Sequence, residues 1–195
     1  MTPQGRLIVL TGPSGVGKDT VIRELFAIDP SLEYCVSYTT RAPRPGEIDG
    51  VSYHFVNEPT FRAMVDRDEF FEWSTVYGEL KGRTYDTVNR ATASGKDTVI
   101  KIDVQGADKV RRRLGNRGTY IYLLPPSMEA LERRLVDRAT EDAASLKARL
   151  ALAAAELALK DTYDHQVVND DAKRAARDIE AIIRAARTSA GGGTP

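Results

Sequence analysis

Cysteine and histidine are nearly absent: Cys35, His54 and His165 are the only ones in 195 residues. A lone thiol closes no intrachain disulfide, and no zinc-ligand spacing occurs. Two imidazoles are too few for a metal site built on histidine. Net charge is absent too. Lys plus Arg and Asp plus Glu both number 28, so no overall field draws the chain toward nucleic acid. Long apolar runs are also missing. Nothing reaches the roughly 18 residues of a membrane span, and the N-terminus lacks the apolar stretch of a signal peptide. The expectation is a cytoplasmic protein without membrane or nucleic-acid partners, a monomer or weak homo-oligomer.

What is present suits one compact α/β domain. Basic residues gather locally at Arg41–Arg44, Arg111–Arg113 and Arg133–Arg138, so a neutral chain can still hold an anion site. Leu7-Ile8-Val9-Leu10 reads as a buried parallel strand. A glycine turn follows, then a helix over about 18–27 that Pro30 stops. Turn-formers crowd 42–50, and the stretch from Cys35 to Val88 reads as an inserted, partly β lobe with one short helix over about 58–66. Strands return at Thr98–Asp103, Tyr120–Leu124 and Gln166–Asn169. Between them lie a helix over about 106–114 and a long helical stretch over about 128–159 that breaks near Thr140. Ser127 reads as an N-cap of that stretch. A last amphipathic helix starts near Ala172, and 188–195 reads as a disordered tail.

Gly12-Pro13-Ser14-Gly15-Val16-Gly17-Lys18-Asp19-Thr20 carries the most specific signal. Its glycines allow the backbone to wrap an anion, with successive N–H groups and a helix N-terminus pointing inward. Lys18 can reach the β- and γ-phosphates of a nucleotide. The apolar strand before the turn and the helix after it are the context a phosphate cradle needs. The residue after the lysine departs from the usual Ser or Thr. Asp19 can hold Mg²⁺ directly or through water, Thr20 is a second candidate ligand, or Asp19 points away and phosphates and water hold the ion.

Arg41 and Arg44 lie on a proline-stiffened turn. Guanidinium forks match phosphate oxygens in bidentate fashion, and Tyr53 can donate to the same group. Read alone, the turn is equally an exposed basic loop.

The run from Ser37 to Arg44, with Gly46-Glu47, Asp49-Gly50 and Tyr53-His54-Phe55, resembles the GMP-binding signature of guanylate kinases. Glu69-Phe70-Phe71-Glu72-Trp73, Ile102-Asp103-Val104-Gln105-Gly106-Ala107, Pro125-Pro126-Ser127 and Val168-Asn169-Asp170-Asp171 resemble it as well, in family order from about Leu7 to Ile183. The resemblance implies that Arg41, Arg44 and Tyr53 grip the GMP phosphate, with Ser37 near the base. It implies that Glu72 and Asp103 accept from guanine N1–H and N2–H₂. Carboxylate acceptors suit those donors and pair poorly with adenine. Arg134, Arg138 and Arg149 resemble lid arginines that stabilise the transferring phosphoryl group. Asn169 resembles the residue near the adenine pocket. ATP is then the donor, with Mg²⁺.

Four positions depart from the family pattern. Asp19 replaces the hydroxyl, and Lys101 stands where an acidic residue is usual. Lys81 replaces a tyrosine that contacts the GMP phosphate, and Arg83 replaces a small hydroxyl residue that contacts the base. The expected architecture is a P-loop α/β core with a parallel sheet (about 1–35, 91–126 and 161–187), a GMP-binding lobe (about 36–90) and a helical lid (about 127–160). The expected activity is reversible phosphoryl transfer from ATP to GMP or dGMP. Two alternatives share this scaffold: a ribose 1,5-bisphosphate kinase, and a catalytically weak binding module.

Overall fold

The computed structural model describes residues 5–76, 78–136 and 143–191. Its elements, in chain order, are β1 (Leu7–Thr11), α1 (Lys18–Ile28), β2 (Glu33–Tyr34), β3 (Tyr38–Thr39), β4 (His54–Phe55), α2 (Glu58–Asp66), β5 (Phe70–Val76), β6 (Glu79–Thr84), α3 (Tyr85–Ala93), β7 (Thr98–Lys101), α4 (Val104–Leu114), β8 (Gly118–Leu124), α5 (Met128–Val136), α6 (Ala143–Leu157), β9 (His165–Val168) and α7 (Ala172–Gly191). A five-stranded sheet has the order β2-β7-β1-β8-β9, and a four-stranded sheet has the order β4-β3-β6-β5.

The chain divides into two compact units. One comprises Leu32–Ile100 and Gln105–Gly118 with the N-terminal residues through Leu7. Within it β2 and β7 pair in parallel, while β5 and β6 form an antiparallel hairpin around Gly78, whose φ of 80° suits glycine. Phe61, Met64, Phe70 and Leu80 make a small core, with Phe61 stacked on Phe70 at 4.3 Å. Capping positions the helices. Asn57 Oδ1 accepts the Thr60 N–H at 2.8 Å to start α2, and Thr84 Oγ1 accepts the Thr87 N–H at 3.2 Å to start α3. The expected helix over 58–66 is α2, whereas α3 is an additional helix in this lobe.

The other unit comprises Ile8–Ser31, Lys101–Val104 and the chain from Thr119 on. β1 is buried at every position, as a strand covered on both faces requires. β8 pairs with β9 in parallel, from Ile121 against His165 to Leu124 against Val168. Ser127 Oγ accepts the Ala130 N–H at 3.1 Å and caps α5, as its position after two prolines predicts. α6 packs through Ala153, with Leu146 and Leu150 beside it, against Leu131 and Leu135 of α5. Asp171 Oδ1 accepts the Arg174 N–H at 2.8 Å and starts α7. That helix runs to Gly191, into the stretch expected as a disordered tail. Its first three turns present a sustained apolar face, with Ala175, Ala176, Ile179 and Ile183 fully buried. Among the described residues no helix is long and apolar enough to cross a membrane.

Candidate functional site

Two groups of residues carry the expected chemistry, one in each unit, and each is built within its own unit. The first is the loop between β1 and α1. Gly12 has φ 139°, and a Cβ there would lie 2.3 Å from the Leu123 carbonyl oxygen. Gly17 has φ 99°, and its Cβ would lie 2.5 Å from Asn169 Nδ2. Both positions therefore exclude any side chain. Pro13 and Val16 are buried in this loop, and Ser14 and Thr20 are half-buried. Lys18 Nζ donates to the carbonyls of Gly12 at 2.5 Å and Pro13 at 3.0 Å, so its ammonium lies across the loop.

Charge is dense around this lysine. Lys101 at the end of β7 donates to Asp19 Oδ1 in the first turn of α1. Two separate departures from the family pattern are therefore one ion pair. Burial pulls the Lys18 ammonium down from 10.5 to about 8. Glu156 opposes that shift most strongly, Lys101 adds to it, and Asp19 and Asp103 oppose it. Glu156, on α6, was not singled out by sequence. Its carboxylate accepts the Ser14 N–H of the loop, and burial pushes its pKa up. The only sequence signal for it is a lone acid in an alanine-rich helix. A pH effect follows. In the nucleotide-free protein Lys18 loses its proton as pH rises through about 8, and with it the charge that attracts phosphate. The Kd for ATP is expected to be flat below that pH and to climb above it, and K18M is expected to abolish the climb. A flat wild-type profile would contradict this.

For a divalent cation, Asp19 offers a hard carboxylate oxygen, the donor type Mg²⁺ takes. Yet Lys101 already engages that oxygen, and the described residues contain no cluster of three or more acidic, histidine or cysteine side chains that could hold a metal. The donor set fits an ion carried chiefly by nucleotide phosphates and water, with Asp19 or the Thr20 hydroxyl as a supplementary ligand.

Arg134 on α5 donates through Nη1 to the Val16 carbonyl at 3.0 Å and through Nη2 to the Asn169 carbonyl at 2.9 Å. Asn169, buried just after β9, donates its own Nδ2 to the same Val16 carbonyl at 2.7 Å. Both side chains thus hold the loop from outside, a role their sequence positions do not reveal. Removing Arg134 leaves two carbonyls without a charged donor, worth about 2 kcal/mol. R134A is expected to lower Tm by several degrees and to raise KM for ATP more than KM for GMP. Unchanged ATP kinetics would separate Arg134 from the loop. Arg149 is half-buried on α6, and Arg138 lies outside the described residues. Asp103, half-buried, joins β7 to α4 on the same unit as Lys18.

The second group lies in the other unit. Arg41 grips both oxygens of Glu47, at 2.7 and 2.9 Å, and donates to the Ala42 carbonyl at 2.6 Å. Glu47 also accepts the Arg44 N–H at 2.7 Å. Burial alone would raise the Glu47 pKa, but the Arg41 and Arg44 contacts hold it below the ordinary value. The Arg41 guanidinium lies 5.4 Å from the centre of the Tyr53 ring. The Arg41 guanidinium is therefore already held against an anionic group, beside the Tyr53 ring. Arg44 is exposed, Tyr53 half-buried and Ser37 buried. Lys81 pairs with Glu79 at 3.5 Å. Arg83 is buried and donates through Nη1 to Glu72 Oε1 at 2.8 Å, with Glu72 itself 3% exposed.

The guanylate kinase family model matches residues 4–186. The chain is 42% identical to the guanylate kinase of Geobacter sulfurreducens over 183 residues, covering 94% of this chain and 90% of that protein. It is 43% identical to that of Symbiobacterium thermophilum, covering 94% and 86%. The crystal structure of guanylate kinase from Anaplasma phagocytophilum superposes with a TM-score of 0.78 at 33% identity, covering 94% of this chain and 87% of that one. A gluconokinase from Sinorhizobium meliloti, 17% identical with a TM-score of 0.54 and covering 99% of each chain, shares the fold.

Proposed function

The chain belongs to the guanylate kinase family, and on that premise we propose that it transfers the γ-phosphoryl group of ATP to GMP or dGMP, reversibly, giving ADP and GDP or dGDP. The observation favouring a guanine acceptor over a sugar phosphate is the buried Glu72 carboxylate in the lobe that carries Arg41 and Tyr53. Its two acceptor oxygens match the adjacent N1–H and N2–H₂ donors of guanine, a pattern of donors fixed on one planar edge that a ribose phosphate does not present.

Each residue then has a chemical task. The cradle from Gly12 to Thr20 binds the donor phosphates through the backbone N–H groups that follow Pro13. Lys18 exchanges the Gly12 and Pro13 carbonyls for β- and γ-oxygens and offsets the charge that grows there. Arg138 and Arg149 do the same for the transferring group, while Arg134 and Asn169 keep the loop in shape. Arg41, Arg44, Tyr53 and Lys81 hold the acceptor phosphate, with Glu47 ceding Arg41 to it. Ser37, Glu72 and Asp103 address the base. Residues 36–90 then act as the acceptor lobe, 127–160 as the lid, and the remainder as the core. A GMP phosphate oxygen forms the new bond to phosphorus as the bond to the ADP oxygen breaks, with no covalent enzyme intermediate. When Mg²⁺ is bound to the donor phosphates it neutralises their charge, and Asp19 or the Thr20 hydroxyl would be its supplementary ligand. Phosphorus NMR of a mixture of protein, Mg²⁺, ATP and GMP tests this reading. It is expected to show ADP and GDP appearing in equal amounts, and the reverse reaction from those products. ATP consumption without GDP would refute it.

A further inference from the structure

The β5–β6 hairpin sets Glu72 directly opposite Arg83, with a register shift between Phe70 and Glu72. Residues opposite each other in an antiparallel pair share a face, and a bulge re-aims the side chain beside it. The strands meet tightly there, since a Cβ on Gly82 would lie 2.7 Å from Trp73 Cβ. Glu72 and Arg83 have side chains only 2% exposed. Beyond its bond to Glu72, the Arg83 guanidinium donates through Nε to the Cys35 carbonyl at 3.4 Å. Burial pulls this guanidinium down, yet the charge of Glu72 more than compensates. An arginine this buried acts through its carboxylate partner.

We propose that Arg83 is a positioning residue that sets base selectivity: it holds Glu72 as an oriented, charged, acceptor-only group and so favours guanine over adenine. The proposal rests on the reading that Glu72 addresses the base. Guanine presents two adjacent donors, N1–H and N2–H₂, which a carboxylate satisfies. Adenine presents an acceptor at N1 beside a donor at N6. A protonated carboxyl has one donor and one acceptor, so it pairs with adenine and mispairs with guanine. Without the adjacent cation, a carboxyl in so dry a place is driven toward its neutral form. Arg83 therefore replaces a direct hydroxyl contact to the base with control of the protonation state of the residue that reads it.

The test compares kcat and KM for GMP and AMP in the parent, E72Q, R83M and R83K. In R83M, KM for GMP is expected to rise about tenfold or more, with a smaller change in kcat. The GMP-to-AMP ratio of kcat/KM is expected to fall by about tenfold or more. R83K keeps a cation and is expected to keep most of that ratio. If R83M retains the parent ratio while E72Q raises KM for GMP, the Arg83 proposal is overturned and the Glu72 reading stands. If E72Q leaves KM for GMP unchanged, the underlying reading of Glu72 is overturned. A measurement on the folded parent stands apart from variant stability. In the infrared difference between parent and E72Q, a carboxylate band is expected for Glu72. A carboxylic-acid band in the parent would overturn the proposal.

Discussion

Replacing Lys18 with methionine is expected to lower kcat by about a thousandfold, the scale of losing one preorganised charge at a transition state, while Tm holds or rises. The two effects have one cause. The Lys18 ammonium lies across the cradle and burial makes its proton easier to lose, with a midpoint of about 8 against 10.5. Below pH 8 the ammonium is less favoured in the folded chain than in the unfolded one, so it costs stability there. Methionine has a similar shape and no charge, so that cost disappears. The carbonyls of Gly12 and Pro13 lose a donor, which limits the gain. Transfer has no substitute for the cation, because charge accumulates on phosphoryl oxygens at this loop. Single-turnover kinetics and thermal unfolding on the same sample check the pair. A large fall in Tm would show that Lys18 holds the loop together instead.

The second large effect concerns folding. Removing one partner of the Glu72–Arg83 pair leaves the other charge buried alone, at a cost of about 3–5 kcal/mol. For a chain of this size each kcal/mol moves Tm by about 2–4 °C. E72L and R83M are each expected to melt about 10 °C or more below the parent. The double variant E72L/R83M buries two apolar groups in the same volume and is expected to recover most of that loss, while GMP selectivity does not return. Additive losses in the double variant would show that the two side chains act independently.

The sequence carried the cradle almost completely, because phosphate binding uses backbone that only certain residues permit. Gly12 and Gly17 adopt angles and close approaches that no side chain tolerates, and Lys18 has one direction in which to reach. Asp19 and Lys101 were each visible as departures. Their pairing was not, since 82 residues of chain separate them. Arg83 was legible as a large candidate GMP contact where the family has a small hydroxyl residue. Its burial on Glu72 depends on cross-strand register and a bulge, which side-chain identity does not encode. α3 escaped notice because its residues mix Thr and Val with polar neighbours, and its one local signal is the Thr84 cap. Glu156 escaped for a different reason: its significance lies in the Ser14 amide it meets, not in its own helix.

The central claim is that this chain phosphorylates a guanine nucleotide. The direct measurement is a competition in which GMP, dGMP, AMP, UMP, CMP and ribose 1,5-bisphosphate are offered together with limiting Mg²⁺ and ATP, and all phosphorylated products are quantified. GDP and dGDP are expected to take nearly all the transferred phosphate. Phosphorylated ribose bisphosphate as the main product, or ADP formed with no acceptor product, would contradict it.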